Sequence, residues 1–472
     1  MPEQFLHGVE VVEIDSGARP IRTVKSSVIG LVGTAPKGPV NTPVLIAGSR
    51  KEAVAQFGSG LGTIPDALDA IFDQAGAMVV VINVLDPAVH KVAVAAADYT
   101  FDATADTVAV AHDYIHNAVV TSQDAVTTYV EGTDYSYDSD TGVFTRISAG
   151  AIASGATVKI GYDRPDESAV TTSDIIGGVD ATTGAYEGVQ ALLGAESVVK
   201  VQPKILIAPG FTSEVTRDVG DVITGAPVVA EMAGIADRLR AVIIADGPNT
   251  TDAEAIAYRE LFGHKRTYVV DPWCKVWDTD ANAEALQAAS ARIAGMIAKS
   301  DNERGFWWSP SNREMYGIVG TGRSVDFTLG DPNARANYLN ENEVATIIQK
   351  DGYRLWGNRT CSADPKWAFL SVVRTADMIN ESLLRAHMWA VDRNITKTYL
   401  EDVVEGVNAY LRHLKAIGAI LGGECWADPE LNTPTQIADG KVYFDFDFTP
   451  PYPAEHITFR SHLVNDYIEE II

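Results

Sequence analysis

Five short segments of the first two-thirds are almost wholly apolar and alternate with stretches of helical spacing, a pattern that few folds accommodate. Met78-Val79-Val80-Val81-Ile82-Asn83-Val84 is the clearest of them. A strand with no polar face has to be covered on both sides. Ser27–Gly33, Lys204–Ile207, Ala241–Ala245 and Thr267–Asp271 read the same way. Between them the spacing predicts helices over Asp66–Gln74 (Leu68, Ile71 and Phe72 on one face), Pro227–Arg238, Asp252–Phe262 and the alanine-rich Ala281–Lys299. Strand and helix in alternation imply a mostly parallel sheet with helices on its faces.

The pattern is interrupted once. From about Asp98 to Arg164 the chain is rich in Thr, Val, Asp, Tyr and Gly, with a hairpin predicted at Tyr135–Phe144 around Asp140-Thr141-Gly142 and a strand at Val158–Tyr162. At 472 residues the chain is long enough for about three domains. The reading is therefore α/β plus α+β, multi-domain: an arm and linker over 1–20, an α/β domain over 21–97 and 171–330, an inserted all-β outer domain over 98–170, a C-terminal α+β domain over 331–449, and a second linker and arm over 450–472.

In the last third, Ala345–Gln349 and Tyr353–Trp356 flank the turn Lys350-Asp351-Gly352 as a hairpin, and a strand is expected at Phe369–Val373 before two helices. For the second helix, Thr398 and Glu401 suggest a capping box. Leu400, Val404, Val407, Leu411, Leu414 and Leu421 form its apolar stripe, and Gly422-Gly423 its stop. Phe444, Phe446 and Phe448 alternate with acidic residues as a half-buried strand.

Both ends read as strands on joints. Val9, Val11, Val12 and Ile14 precede the joint Gly17–Pro20, while Ile457, Phe459 and Leu463 follow the stiff linker Pro450, Pro451, Pro453. A terminal strand without a hairpin partner pairs with something distant or with another molecule.

Lys plus Arg number 37 and Asp plus Glu 63, a formal net charge of −26, which opposes broad binding to nucleic acid or anionic lipid. Cys274, Cys361 and Cys425 have neither metal-ligand spacing nor an even number, so reduced thiols in a reducing cytoplasm are expected. Neither a signal peptide at Met1–Phe5 nor a membrane-spanning run is read.

Chemistry-bearing patterns are few. Gly58-Ser59-Gly60-Leu61-Gly62 has the look of a phosphate loop but not the spacing or lysine of one, and reads better as a flexible turn. His112 and His116 have the i, i+4 spacing of metal ligands on a helix, in a strand-like neighbourhood. Asp246 and Asp271 follow strands at their C-terminal ends, where a carboxylate pair does catalysis or, more commonly, caps helices. Trp307-Trp308 fits a ligand stack or an inter-domain seam, and Arg412 with Lys415 an acidic partner or a solvated helix face. No catalytic site, cofactor or metal is assigned.

Several segments together resemble the contractile tail sheath family of tailed bacteriophages and related injection machines. They are Gly8–Ile14 with Arg19-Pro20-Ile21 running into Ser26–Pro36; Trp308–Asn312 with Gly317–Gly320; Ala336–Asn340 with Gly352–Thr360; and Val373–Asp377 before a long helical stretch. The resemblance spans roughly 8–95 and 175–470 and leaves the β block unmatched. It implies a virion structural protein, not an enzyme, assembled in the host cytoplasm from hexameric rings stacked around a tail tube. Self, the tube, baseplate and tail terminator proteins are the implied partners. Terminal strands are exchanged between subunits, with Val9–Ile14 and Ile457–Leu463 as the arms. Contraction then needs no nucleotide, because an extended metastable lattice relaxes by near-rigid-body motion. Arg412 and Lys415 are the nominated tube contacts. Two other classes stay open on sequence: an α/β enzyme decorated with a β domain, and a capsid or tube protein.

Overall fold

A computed structural model describes residues 21–279 and 281–464. The chain opens with β1 (Ile29–Gly33), β2 (Val44–Ala47), α1 (Arg50–Phe57), α2 (Thr63–Gln74) and β3 (Met78–Asn83). The Ser49 hydroxyl accepts from the Glu52 N–H and so caps α1. On α2, Leu68 and Ile71 are buried and Phe72 packs at the margin.

Six strands follow: β4 (Lys91–Thr100), β5 (Thr107–Ala109), β6 (His116–Ser122), β7 (Tyr135–Asp138), β8 (Val143–Arg146) and β9 (Thr157–Pro165). They form two three-stranded sheets, β4-β9-β6 and β5-β8-β7, around their own core of Phe101, Ile115, Tyr135, Phe144 and Ile160. The expected hairpin is β7–β8, with Tyr137 stacked on Phe144 at 5.1 Å. Lys91 pairs with Pro165 and Thr100 with Thr157, so the chain leaves and re-enters the α/β body on adjacent strands. The β structure reaches back to Lys91, ahead of the compositional change near Asp98.

The α/β body resumes with α3 (Thr172–Ile176), α4 (Ala195–Val199), β10 (Ile205–Ile207), β11 (Thr216–Arg217), β12 (Ile223–Gly225), α5 (Pro227–Leu239), β13 (Val242–Asp246), α6 (Asp252–Glu260) and β14 (Thr267–Val270). After it come β15 (Cys274–Asp278), β16 (Ala283–Gln287), α7 (Ser290–Arg304), β17 (Gly320–Thr321), α8 (Arg335–Glu341), β18 (Val344–Gln349) and β19 (Tyr353–Trp356). The main sheet is eight-stranded, β19-β18-β14-β13-β10-β1-β3-β2, antiparallel at both edges and parallel between β18 and β3.

The unbroken apolar runs are explained by the two faces of this sheet. Ile29, Leu31, Val79, Val81 and Ile205 enter one core, beneath α2 and α7. Val32, Val80, Ile82, Leu206 and Ile243 enter the other, beneath α5. Successive side chains of a strand point to opposite faces, so each residue must be apolar.

The C-terminal part contains α9 (Leu370–Ala386), α10 (Lys397–Ala416), β20 (Gly422–Ala427), α11 (Pro434–Ala438) and β21 (Phe444–Thr449). Helix α9 belongs to two cores. Leu370 and Val373 pack into the α/β body, whereas Met378 and Ile379 pack with Val407, Leu411 and Leu414 of α10. One rigid element therefore joins the two parts.

The structure corrects expectations for three elements. The predicted helix over Ala281–Lys299 is split: Ala283–Gln287 pairs antiparallel with Cys274–Asp278, and the helix starts at Ser290. Helix propensity in Ala-Glu-Ala-Leu-Gln is a weak preference, and pairing to an adjacent strand overrides it. The predicted strand at Phe369–Val373 is the N-cap and first turn of α9, because five residues, four of them apolar, fit either period and the helical one continues through Ala376 and Ile379. Helix α10 is capped by Thr396, whose hydroxyl accepts from the Tyr399 N–H at 3.1 Å, not by Thr398. It ends at Ala416, before Gly418 at φ +79°, and Gly422-Gly423 instead open β20. Its buried stripe is Val403, Val407, Tyr410, Leu411 and Leu414, with Leu400 and Val404 half-buried and Leu421 exposed.

Candidate assembly surfaces

The root of the N-terminal arm lies across the helices of the body. Ile21 and Val24 pack against the α9–α10 core, Thr23 Oγ1 lies 3.0 Å from the Tyr410 hydroxyl, and the Ser382 hydroxyl accepts from the Val24 N–H at 3.1 Å. Ser26 donates to Asp301 at 2.7 Å. The nominated arm residues Val9, Val11, Val12 and Ile14, and the joint residues Gly17 and Pro20, lie outside the described residues.

The C-terminal arm is rooted nearby. Pro450 is buried, Pro451 and Pro453 are half-buried, and Tyr452 meets Phe369 edge-on at 6.2 Å. Arg359 donates to both oxygens of Glu455, at 2.8 and 2.6 Å, while its guanidinium lies 5.4 Å from the Phe369 ring. The proline linker is thus held on the body. From Ala454 to Val464 every residue is exposed and outside helix and strand; Ile457, Phe459 and Leu463 stand 67%, 92% and 99% exposed. Burying each against a partner is worth about 1.5–3 kcal/mol.

The body also presents a sheet edge. β20 and β21 pair antiparallel, Gly422 with Thr449 through Ala427 with Phe444. The side chain of Asn408 on α10 takes both backbone groups of Cys425, accepting from its N–H at 2.8 Å and donating to its carbonyl at 2.9 Å. Cys425 is therefore a non-hydrogen-bonded position of the ladder, and its outer edge is occupied by a side chain. By the alternation of an antiparallel pair, the backbone groups of Phe444, Phe446 and Phe448 point away from β20. Among the described residues no strand pairs with that edge. The phenylalanine side chains are half-buried on the α10 side and Asp445 and Asp447 are exposed, as their alternation predicts.

Arg412 and Lys415 are exposed on α10, and Arg412 is held by Glu405 at 2.5 Å.

The chemistry-bearing patterns take structural places. Gly58 and Ser59 receive the inserted domain: the Ser59 N–H donates to the Tyr114 hydroxyl at 2.8 Å, and a Cβ on Gly58 would stand 2.8 Å from that ring. At the switch point between β1 and β10, where doubly wound sheets hold ligands, Thr34 and Thr63 exchange backbone-to-hydroxyl hydrogen bonds of 3.1 and 3.0 Å. His112 Nδ1 is 2.7 Å from the Tyr162 hydroxyl, and His116 opens β6, so helical i, i+4 geometry does not arise.

Asp246 and Asp271 are both buried and serve different partners. Asp246 accepts from the Ser290 N–H at 2.8 Å and hydroxyl at 2.6 Å, fixing the start of α7, and burial pushes its carboxyl up to about 6. Asp271 accepts from the Asn249 N–H at 2.7 Å and pairs with Arg323. Phe306 and Trp307 pack at the α9–α10 core, with Trp308 exposed beside them. All three thiols are free and buried, and burial raises Cys274 and Cys361 to about 12.

With this geometry established, comparison with known proteins places the fold among sheath subunits of contractile machines. The model of the phage tail sheath protein central domain matches residues 184–361, that of the phage tail sheath C-terminal domain 362–463, and that of the tail sheath protein Gp18 domain III N-terminal region 26–84. The tail sheath protein of Burkholderia phage BcepMu is 40% identical over 488 residues, covering 99% of this chain and 98% of that one. That of Escherichia phage P2 is 33% identical over 475 residues, 99% and 98% of the two chains. A putative prophage major tail sheath protein of Pseudomonas aeruginosa strain UCBPP-PA14 is 39% identical over 473 residues, 99% of each.

The chain belongs to the phage tail sheath family, and is a structural component of a contractile tail. Its fold is shared with the anti-feeding prophage helical sheath in its contracted state (TM-score 0.59, 18% identity, 98% and 100% coverage). It is likewise similar to the PVC sheath complex of an extracellular contractile injection system (TM-score 0.58, 15% identity, 99% and 100% coverage).

Proposed function

We propose that this chain polymerises as stacked hexameric rings around a tail tube and contracts to drive the tube through the host envelope. The observation that carries the reading is a complementary pair of surfaces. The chain offers an exposed segment outside helix and strand, with Ile457, Phe459 and Leu463 at odd-numbered positions, and a β21 edge that pairs with no strand among the described residues. Joined within one chain they would form a hairpin; left apart on a rooted linker, they suit strand addition between copies. Residues 9–14 supply a second arm by the same logic.

In this reading the α/β body and the C-terminal part move together, because α9 packs in both cores. Contraction is then a rearrangement of rigid bodies in a lattice tethered by exchanged strands, downhill from a metastable extended form. The inserted β domain, expected at 98–170 and with its strands running from Lys91 to Pro165, forms an outward-facing decoration, 1–20 and 450–472 the arms, and the part of 331–449 beyond β19 the lattice domain, β18 and β19 being strands of the main sheet. Arg412 and Lys415 face the tube, and baseplate and tail terminator proteins hold the two ends, in a virion assembled in the host cytoplasm.

Negative-stain electron microscopy of the concentrated protein, intact and lacking residues 454–472, tests this. Hollow tubes from the intact chain and none from the truncation are expected. Discrete particles from the intact chain, with purified tail tubes supplied, would overturn the sheath role, and tubes from both would remove the C-terminal arm as the essential link.

A further inference from the structure

Between α7 and the clasped C-terminal linker lies a groove of about 830 Å³, walled by Trp307, Trp308 and Tyr316 on one side and by Pro451-Tyr452-Pro453 on the other. Four basic side chains line it against two acidic ones, Glu303 and Glu314, in a chain whose net charge is −26. Three of the four have no carboxylate partner among the described residues. Lys299 sits over the Tyr316 ring at 4.4 Å and Arg304 over the Trp308 ring at 5.2 Å. Among the described residues the Arg354 side chain donates to the carbonyls of Lys350 and Asn312, at 2.9 and 3.3 Å. Elsewhere arginines are mostly paired with carboxylates, as Arg266, Arg323, Arg359 and Arg374 are.

Like-charged subunits pack side by side only where opposite charges are brought together at the contacts. Unpaired cations on aromatic walls suit an extended acidic segment with apolar side chains. The last seven residues, Asp466-Tyr467-Ile468-Glu469-Glu470-Ile471-Ile472, have that chemistry: three carboxylates, four apolar or aromatic side chains and no base. The chain leading to them is exposed from Ala454 to Val464.

We propose that this groove receives residues 466–472 of a second copy of the chain, a contact additional to the exchanged strand. The inference rests on the sheath reading and gives the C-terminal arm a second anchor, electrostatic and aromatic where the first is a backbone ladder.

The test mixes two full-length variants, Glu303→Cys at the groove rim and Glu470→Cys in the tail, with a short bismaleimide cross-linker, since the native thiols are buried. An interchain product is expected. Adding Lys299→Glu and Arg304→Glu to the groove partner should lower its yield about tenfold, and a tail carrying Asp466→Lys and Glu469→Lys should restore it. Four results overturn the proposal: a yield no greater than from a Thr250→Cys control, a yield indifferent to these charges, cross-linking within a parallel chain carrying both Glu303→Cys and Glu470→Cys but none between the two single variants, or stronger capture from Glu3→Cys in the N-terminal arm. Microscopy of the same mixtures separates the two claims. Tubes without the cross-link leave the sheath reading standing and remove the groove contact; the charge-dependent cross-link without tubes does the reverse.

Discussion

Arg374 grips Asp301 through both terminal nitrogens, at 2.9 and 2.5 Å, with the two side chains only 4% and 2% exposed. The pair joins α9 to α7, and Ser26, donating to the same carboxylate, brings the root of the N-terminal arm to it. Further along α9, Asp377 pairs with Arg266 and Glu381 with Lys204. The face that α9 turns to the α/β body is thus lined with buried ion pairs.

Removing one partner of a buried pair strands the other charge. Arg374→Ala or Asp301→Ala should each cost about 3–5 kcal/mol, while replacing both by apolar residues of similar volume should come close to neutral. Urea unfolding of the two single variants and the double variant checks this; additive losses would show that the two side chains do not act as a unit.

Asp246 sets a pH dependence of its own. Its carboxyl stands at about 6 in the fold, against about 3.9 unfolded. The native state therefore keeps a proton that the unfolded state has released, and stability from this group is present below about pH 4 and lost as pH rises through about 6. A difference of that size corresponds to about 3 kcal/mol. The difference in stability between the wild type and Asp246→Asn, followed by thermal melts, should change over that interval in favour of the variant as pH rises. A difference that stays flat there would mean that Asp246 does not titrate in the range.

Much of the body was legible in the sequence because burial on two faces leaves no alternative to runs such as Met78–Val84. The β7–β8 and β18–β19 hairpins were legible from their glycine turns. Residues 283–287 and 369–373 were not, since five residues cannot distinguish periods of 2.0 and 3.6 when neighbours decide the outcome. The alternation at Ile457–Leu463 pointed to an arm. What roots it did not show: Arg359 and Glu455 are 96 residues apart, and Asn408 and Cys425 meet only after α10 and β20 have packed.

Asn408 blocks one edge of the two-stranded sheet. Asn408→Ala removes both bonds to Cys425, which should cost about 1–3 kcal/mol and leave a second edge unpaired. Faster hydrogen exchange at the Cys425 amide is expected, with laterally associated or irregular aggregates in place of uniform tubes. Unchanged exchange at that amide would show that the edge is protected by something else.

Arg412 and Lys415 are proposed to face the tube. Arg412→Glu with Lys415→Glu should leave stability within about 0.5 kcal/mol, as exposed substitutions do, yet weaken co-sedimentation of sheath with purified tubes, most at low salt. Normal sheathing of tubes by the doubly reversed subunit would remove these residues from the contact.

The Arg359–Glu455 pair is more than a third exposed on both sides, so its direct contribution to stability is well under 1 kcal/mol. Its effect is geometric. With Tyr452 seated on Phe369, it sets the point and direction at which the arm leaves the body. Arg359→Glu or Glu455→Arg should therefore leave the melting temperature nearly unchanged and lower the yield of ordered tubes, because the arm searches more orientations before it finds a neighbour's edge. The exchanged pair Arg359→Glu with Glu455→Arg should recover most of that yield. Full assembly by the single variants would mean that the Tyr452–Phe369 contact alone aims the arm, and Phe369→Ala would then carry the loss.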